Sequence, residues 1–415
     1  MPLALDRERL WQRLETLSGF TDPERPWTRR AFTPLHAASR DWLAGEFAAA
    51  GLAVSLDASG NLIGRREGAE PGRLPLISGS HCDTVPSGGR FDGIAGVLAA
   101  LEFAHALADA GEVLRHPLEV VDFLSEEPSD YGVSSVGSRA FAGRLSAEQL
   151  ALTNPEGETL AAAIARAGGD PAALAKPLRA PKSTAAYVEL HIEQGRVLES
   201  ANVPIGVVSS IVGIRRLAIT VTGRADHAGT TPMDERRDAL VGAAKVIGAT
   251  RDLAAAMTGD PDYVVATIGH LSVSPNAANA VPGAVEMILD LRSSSAAILE
   301  DFPGLLAETC ARDLAALRCG YAAATLSLAA PTDCAPLVRH AIAKAAHGFD
   351  LGVLPLPSGA GHDAVNAALT GPTGMIFIPC LDGRSHCPEE WTSPDALFDG
   401  ARVLAETLRE LDRTL

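Results

Sequence analysis

The sequence predicts an α/β protein: a discontinuous metal-binding α/β catalytic domain interrupted by a smaller ferredoxin-like α+β domain. In the first half of the chain, short apolar runs such as 74–80 and 118–124 alternate with helical patterns, as in a sheet covered by helices. Between 213 and 329 the order becomes strand, helix, strand, strand, helix, strand, which is typical of a ferredoxin-like unit. The first pattern then returns, so we expect domain segments 1–212, 213–329 and 330–415.

The composition excludes several classes of protein. The 415 residues are 47% hydrophobic and carry a formal net charge of −16, without the concentration of Lys and Arg that nucleic-acid binding requires. The N-terminus lacks the pattern of a secretory signal, and no run is long and apolar enough to cross a bilayer. We therefore expect a cytoplasmic protein with neither nucleic-acid nor membrane partners. The six cysteines lack zinc-knuckle spacings and are expected to be reduced.

The first part of the chain is predicted to contain two helices, a hairpin, a buried strand and a third helix. Apolar stripes predict helices over 5–20 and 36–51, and a hairpin follows through the turn at 57–61. The apolar run 74–80 predicts a buried strand, and the helical run 93–110 follows a glycine-rich turn.

Three predicted strands in this part end in His, Asp or Glu, residue types that commonly bind metals. His81 and Asp83 follow the run 74–80 and share one face, because side chains alternate along a strand. The next strands deliver Glu126 and Glu127, and then His191. Since open α/β sheets collect their sites at the carboxyl ends of strands, we expect these residues to converge. Asp92, in the glycine-rich turn, and His386, in a late loop, complete the candidate set.

This set of imidazoles and carboxylates suits zinc, manganese, cobalt or nickel, and the absence of thiolates disfavours a purely structural zinc. A carboxylate bridging two ions would let them activate a shared water, while one of the adjacent acids Glu126 and Glu127 moves the proton. Simpler interpretations remain open for each residue alone. Asp92 could be only the N-cap of the next helix, and His191 or His386 an ordinary hydrogen-bonded histidine.

The remaining elements complete the domain pattern. The final helix has Ser393 as its expected N-cap and Pro394 at its first position. The other predicted helices are 234–256, 299–317 and 336–346, and the predicted strands are 214–222, 263–273, 285–291, 322–328 and 375–379.

A series of motifs runs in order along nearly the whole chain, at 79–86, 88–93, 126–127, 189–195, 227–233, 358–364 and 385–390. Together they resemble the amidase/hydantoinase/carbamoylase branch of the M20 metallopeptidase family. That branch includes N-carbamoyl-L-amino acid amidohydrolases, β-ureidopropionases, and allantoate and ureidoglycolate amidohydrolases. The resemblance implies two divalent ions per subunit (Zn, Mn, Co or Ni). His81 and His191 would hold one ion, Glu127 and His386 the other, and Asp92 would bridge them.

The resemblance also implies roles for residues around the ions. Glu126 would be the general base, and Asp83 would orient the ring of His81. The inserted domain would be a lid that also forms a homodimer, in which His227 reaches the second subunit's site and stabilises the oxyanion. The implied substrate-binding residues are Gln194, Asn279 and Arg292, with Arg292 offering a fork for a carboxylate, and Ser358 and His362 are further candidates.

The sequence departs from the family at Pro128-Ser129-Asp130-Tyr131, where the branch commonly has Gly-x-Arg-Phe, which places an acid instead of a cation beside the metals. The leading hypothesis is a binuclear amidohydrolase that cleaves a linear amide or ureido bond of a small carboxylate-bearing substrate, most simply an N-carbamoyl-L-amino acid. The alternatives are an allantoate or ureidoglycolate amidohydrolase, and an M20 aminoacylase or dipeptidase, although the imidazole of His191 favours the ureido branch. A metal-free binding protein and a cysteine hydrolase using Cys82 are the weaker alternatives.

Overall fold

The computed structural model describes residues 2–259 and 261–415. Their contacts divide the chain into two compact units. The first contains the chain up to Ser209 together with Cys334–Leu356 and Gly361–Leu415, and the second contains Ser210–Asp333 and Pro357–Ala360. In the described part of the chain, no helix combines the length and the hydrophobicity that a membrane span requires.

The elements before the first long strand of the second unit cover the predicted helices, hairpin and buried strands. They are α1 (Arg7–Gly19), α2 (Pro34–Ala49), β1 (Ala53–Leu56), β2 (Leu62–Arg66), β3 (Leu76–His81), α3 (Ile94–Asp109), β4 (Leu118–Phe123), α4 (Val136–Phe141), α5 (Ala147–Leu150), α6 (Leu160–Arg166), β5 (Ala186–Ile192), α7 (Val197–Ala201) and β6 (Ile205–Ile211), with a 3₁₀ turn at Pro171–Ala175.

The later elements are β7 (Gly213–Thr222), β8 (Asp226–His227), α8 (Ala239–Met257), β9 (Val264–Ser274), β10 (Ala280–Val281), β11 (Ala284–Ser293), α9 (Ala296–Ala316), β12 (Gly320–Ala329), β13 (Thr332–Asp333), α10 (Pro336–His347), β14 (Val353–Ser358), α11 (Ala364–Ala367), β15 (Thr373–Ile378) and α12 (Pro394–Thr414), with a 3₁₀ turn at Leu381–Gly383.

The first unit is built on a mixed sheet with a parallel centre. Its strand order is β1-β2-β4-β3-β5-β15-β6, and β4, β3, β5 and β15 pair in parallel. Helix α3 is apolar on nearly all faces and is buried along most of its length, as expected of a helix inside a large core. The mixed α/β class predicted from the sequence is therefore confirmed.

The final helix also follows its sequence pattern. Ser393 caps α12 by accepting a hydrogen bond from the main-chain N–H of Ala396, and Pro394 is its first residue. Leu397, Leu404 and Leu411 on its inner face are buried. A capped helix with one continuous apolar stripe specifies both its start and its buried face.

The second unit has a four-stranded antiparallel sheet in the order β12-β7-β11-β9, with α8 and α9 packed against it over a separate core. The predicted start of its first helix at residue 234 is wrong, because the helix begins at Ala239. Asp238 ends the preceding loop by accepting hydrogen bonds from the main-chain N–H groups of Leu240 and Val241. A capping aspartate therefore overrides the helical pattern upstream of it.

Five of the described strands were missing from the sequence prediction: β6, β14 and the two-residue strands β8, β10 and β13. β14 contains Pro355 and Pro357, which lack the N–H that a central strand would donate. It lies off the main strand path and pairs with β6, a position in which proline is tolerated. β6 contains Gly206 and two serines, which weakened its strand signal.

His36 in α2 makes the stability of the first unit sensitive to acid. The residue is 2% exposed, and burial together with Arg40 lowers the pKa of His36 to about 4. Since the unfolded chain takes up this proton first, the stability is present above the unfolded pKa and is lost as the pH falls. We expect the free energy of unfolding to fall by about 2 kcal/mol from this group between pH 7 and pH 5.

Urea denaturation at both pH values tests this expectation. His36→Gln should remove that part of the pH dependence, whereas the exposed His340 on α10 offers a matched control in His340→Gln. Equal pH dependence in the wild type and in His36→Gln would contradict the assignment.

Candidate metal centre

Neighbouring strand ends bring the predicted metal ligands of the first unit to one edge of its sheet. His81 is the last residue of β3 and lies opposite Phe123, the last residue of β4. The chain leaves β4 and reaches Glu126 and Glu127 within four residues, and His191 lies one residue before the end of β5. Because these strands are parallel, their carboxyl ends share an edge.

Asp92 lies between two groups of donors. Its Oδ1 atom is 3.0 Å from Nε2 of His191 and 3.6 Å from Nε2 of His81. Its Oδ2 atom is 3.0 Å from Nε2 of His386, which in turn lies 3.2 Å from Oε1 of Glu127. One carboxylate therefore presents a different oxygen to each group.

The donors fit divalent metal ions. In each of the sets His81, Asp92, His191 and Asp92, Glu127, His386, the ligand atoms lie within 4.8 Å of one another. Among the described residues, the buried Nε2 atom of His191 makes no hydrogen bond, although Oδ1 of Asp92 lies 3.0 Å away. Such an unsatisfied nitrogen is costly unless a metal or another ligand satisfies it. Histidine and carboxylate donors of this kind suit zinc and its neighbours.

Hydrogen bonds orient both buried imidazoles with Nε2 toward Asp92. Nδ1 of His81 lies 3.0 Å from the main-chain carbonyl oxygen of Asp83, and Nδ1 of His191 lies 2.9 Å from that of Ile192. When Nδ1 donates to a carbonyl, Nε2 carries the lone pair that a metal requires.

The Asp83 carboxylate has a different set of contacts from the one expected. Its Oδ1 atom is 3.6 Å from Nδ1 of His81, too far for a good hydrogen bond. Its two oxygens accept instead from the main-chain N–H groups of Glu126 and Glu127, at 3.1 and 3.2 Å. Asp83 thus fixes the main chain of the two glutamates relative to the end of β3.

Gly93 allows Asp92 to approach His81. Its φ is +69°, and a Cβ atom there would lie 2.4 Å from the carbonyl oxygen of His81 and 2.5 Å from its ring. Gly93, with no side chain, occupies the N-cap position of α3. The interpretation of Asp92 as the N-cap is therefore wrong, and its carboxylate faces the histidines instead.

Burial and mutual contact strongly perturb the acid–base properties of this cluster. Burial acts to raise the pKa of Asp92, but His191, His386 and His81 together lower that pKa well below its usual range. Asp92 and Glu127 raise the pKa of His386 to about 11. Burial, with the nearby carboxylates, raises the pKa of Glu126 to about 8. Such pairs of carboxyl groups with separated pKa values are typical of sites that transfer protons.

Gln194 and His362 also lie in the first unit, beside the candidate ligands. Nε2 of Gln194 donates to Oδ2 of Asp92 at 3.0 Å and to Oγ of Ser385 at 3.2 Å. The ring of His362 packs edge-on against that of His191, with centroids 4.5 Å apart. Their binding of substrate stays a prediction.

A third group, Glu189, His191 and His362, also has donor atoms within 4.8 Å of one another. The Glu189 carboxylate, however, already accepts hydrogen bonds from Oγ of Ser80, from the hydroxyl of Tyr187 and from the main-chain N–H of Ala364. Nε2 of His191 also lies 3.0 Å from Oδ1 of Asp92. This group is therefore a poorer candidate for an ion than the two that share Asp92.

The other predicted site residues lie in the second unit. β8 pairs with β10 so that His227 is opposite Ala280, next to Asn279. Nδ1 of His227 accepts from the main-chain N–H groups of Gly229 and Thr230, which leaves the proton of a neutral ring on Nε2. Arg292 donates from Nε to Oδ1 of Asp290 and from Nη1 to the carbonyl oxygen of Gly359. Ser358 immediately precedes that glycine.

The negative charge in the unusual segment after Glu127 is paired with an arginine from a distant part of the sequence. Asp130 pairs with Arg30, whose Nη1 lies 2.6 Å from its Oδ1, so the acid that replaces the usual cation is itself neutralised. Tyr131 is buried and donates to Oε2 of Glu158 at 2.7 Å. No local sequence pattern indicates these pairings, since the partners lie far apart along the chain.

Cys82 does not have the environment of a nucleophile. Its side chain is 0% exposed, and burial together with Asp122 raises the pKa of the thiol well above its ordinary value. A reactive cysteine needs an accessible thiolate. The structure therefore disfavours a cysteine hydrolase.

Sequence reasoning assigned no role to two residues beside the candidate ligands. Oγ of Ser135 donates to Oε1 of Glu126 at 3.2 Å, and Ser135 belongs to none of the sequence motifs. The buried carboxylate of Glu390 contacts the main chain at Asp92. A signal for Glu390 was present, because it belongs to the motif 385–390 that contains His386.

Comparison with known proteins gives a consistent result. A profile of peptidase family M20/M25/M40 matches residues 77–410. N-carbamoyl-L-amino-acid amidohydrolases from Paenarthrobacter aurescens and Geobacillus stearothermophilus are 40% and 41% identical, over 98% and 97% of this chain and 98% of each relative. The allantoate amidohydrolase of Escherichia coli is 35% identical over 98% of both chains. A hydantoinase/carbamoylase family amidase from Burkholderia ambifaria has a similar solved structure, with a TM-score of 0.90, 37% identity and coverage of 99% and 98%.

Proposed function

We propose, from the premise that the chain belongs to peptidase family M20/M25/M40, that it is a binuclear metal-dependent N-carbamoyl-L-amino acid hydrolase. The chain is an amidohydrolase of the hydantoinase/carbamoylase type, acting on C–N bonds other than peptide bonds. The observation that carries the metal-dependent chemistry is Asp92, whose two oxygens face two different sets of histidine and carboxylate donors.

The proposed centre would be held by the residues of these two sets. His81 and His191 would hold one ion, Glu127 and His386 would hold the other, and Asp92 would contribute to both. When bound, the ions supply Lewis acidity toward water and the substrate carbonyl.

Glu126 moves the proton in the proposed reaction. Its carboxylate takes a proton from the attacking water and returns it to the departing nitrogen of the substrate. The hydroxyl of Ser135 donates to this carboxylate, and the carboxylate of Asp83 accepts a hydrogen bond from the main-chain N–H of Glu126. These two bonds hold Glu126 at the strand end. Hydrolysis of an N-carbamoyl amino acid then gives the free amino acid, carbon dioxide and ammonia.

The second unit would supply the groups that recognise substrate. We propose that it acts as a lid and forms a homodimer, with His227 completing the site of a second copy of the chain. The Nε2–H of His227 would donate to the developing oxyanion. Asn279, Arg292 and Ser358 would bind the substrate together with Gln194 and His362 of the first unit. The guanidinium of Arg292, restrained by Asp290, would receive the substrate carboxylate.

The choice of substrate follows from the relatives. The two N-carbamoyl-L-amino-acid amidohydrolases are more similar to this chain than the allantoate amidohydrolase. We expect kcat/KM to be highest for N-carbamoyl-L-amino acids in a panel that also contains their D-enantiomers, allantoate, ureidoglycolate, β-ureidopropionate and N-acetyl amino acids.

The panel should be measured on chelator-washed protein reloaded with Mn²⁺, Zn²⁺, Co²⁺ or Ni²⁺. Activity should disappear on washing and return on reloading. Preference for allantoate or ureidoglycolate would overturn the substrate assignment while leaving the metal chemistry intact. Full turnover without any divalent ion would overturn the proposed function.

A further inference from the structure

Glu390 is a buried carboxylate that joins the two loops carrying Asp92 and His386. The residue is 1% exposed. Its Oε1 atom accepts from the main-chain N–H groups of Phe91 and Asp92, at 2.8 and 3.0 Å. Its Oε2 atom accepts from Oγ of Ser385 at 2.8 Å. Residues almost 300 positions apart in sequence are thus held by one side chain.

These contacts act on both halves of the candidate ligand set. The bond to the N–H of Asp92 fixes the main chain from which that side chain projects. Ser385 immediately precedes His386, and its hydroxyl lies 3.4 Å from Oδ2 of Asp92, the oxygen that faces His386. Glu390 therefore sets where Asp92 and His386 stand relative to each other.

The loop is shaped to receive this carboxylate. A Cβ atom at Gly89 would lie 1.9 Å from both Cδ and Oε1 of Glu390, so the close approach depends on the glycine. Burying a carboxylate costs free energy unless it is well hydrogen-bonded. Three donors, two main-chain N–H groups and one hydroxyl, satisfy it here.

We propose that Glu390 is a positioning residue that holds Asp92 and His386 at the spacing required to share one divalent ion. This inference rests on the metal centre of the proposed function. Glu390 does not contact the ions or the substrate; it acts through the main chain at Asp92 and through Ser385.

Calorimetric titration of chelator-washed protein with Zn²⁺ tests the inference. Glu390→Ala should weaken binding of one of two ions by about tenfold or more, the usual cost of removing a group that orients a metal ligand. Glu390→Gln should retain most of the affinity, because its carbonyl oxygen can still accept from both N–H groups. The adjacent Glu389 is exposed and pairs with Arg384, so Glu389→Ala is a matched control expected to bind like the wild type.

Gly89→Ala provides an independent variant that displaces the carboxylate without removing it. It should reduce Zn²⁺ affinity about as much as Glu390→Ala, and the double variant should be no worse than Glu390→Ala, because the side chain that the new Cβ meets is gone. Thermal unfolding of each variant identifies any that fail to fold. If Glu390→Ala fails to fold, the Zn²⁺ affinities of Glu390→Gln and Gly89→Ala test the inference instead: the first should be near that of the wild type and the second lower.

The outcomes separate this inference from the function on which it rests. Two ions bound to Glu390→Ala with wild-type affinity, or losses from Gly89→Ala and Glu390→Ala that add in full, would overturn the inference alone. A wild-type protein that binds no divalent ion would overturn the proposed function and the inference together.

Discussion

Replacing Glu126 with glutamine is expected to lower kcat by about 10²- to 10⁴-fold, the usual contribution of a general acid–base group. The amide has nearly the same shape, and Ser135 can still donate to its carbonyl oxygen as it does to Oε1 of Glu126. The amide cannot, however, take a proton from water. Steady-state kinetics on an N-carbamoyl-L-amino acid should therefore show a fall in kcat with little change in KM.

The metal content of the same variant distinguishes proton transfer from ligand loss. Glu126→Gln should retain its full complement of divalent ions, measured by elemental analysis. The neighbouring Glu127, whose Oε1 lies 3.2 Å from Nε2 of His386, provides the contrast, because Glu127→Gln should lose metal together with activity. Wild-type kcat in Glu126→Gln would exclude it as the base, and metal loss equal to that of Glu127→Gln would make it a ligand instead.

Replacing Asp92 with alanine is expected to remove both ions, whereas His386→Ala should leave about one ion per chain. The reason is the division of the Asp92 carboxylate, with Oδ1 toward His191 and Oδ2 toward His386. The side chain of Asp92 is 6% exposed and that of His386 is 48% exposed, so a chelator should also reach the His386 ion first in the wild type.

Elemental analysis after dialysis against limiting Zn²⁺ measures this difference. Asp395→Ala, which removes a highly exposed carboxylate at the start of α12, should bind like the wild type. Equal metal content in Asp92→Ala and His386→Ala would contradict the shared-carboxylate arrangement.

Local patterns predicted the parts of this structure whose causes are local. The run before His81 formed β3, and the apolar segment after Gly93 formed the buried helix α3. Because the carboxyl ends of parallel strands share one edge of the sheet, His81 and His191 were expected to lie close together. The ligand set itself came from strand ends combined with a family resemblance.

Other features depended on partners that no local pattern identifies. The Asp130–Arg30 pair joins residues 100 positions apart. It neutralises the acid of the unusual segment after Glu127. Asp83 also makes contacts beyond the one expected with His81, because its carboxylate accepts hydrogen bonds from the main-chain N–H groups of Glu126 and Glu127. A residue's type limits what it can bond, but its neighbours in space decide which bond it makes.

The sequence by itself determined the α/β class and the edge of the sheet where the polar residues gather, because strand periodicity and side-chain chemistry are properties of short segments. Only the tertiary structure decided that the oxygens of Asp92 face separate groups and that Glu390 joins the loops on either side. Hydrogen bonds act over about 3 Å, so their partners are fixed only when the chain has packed.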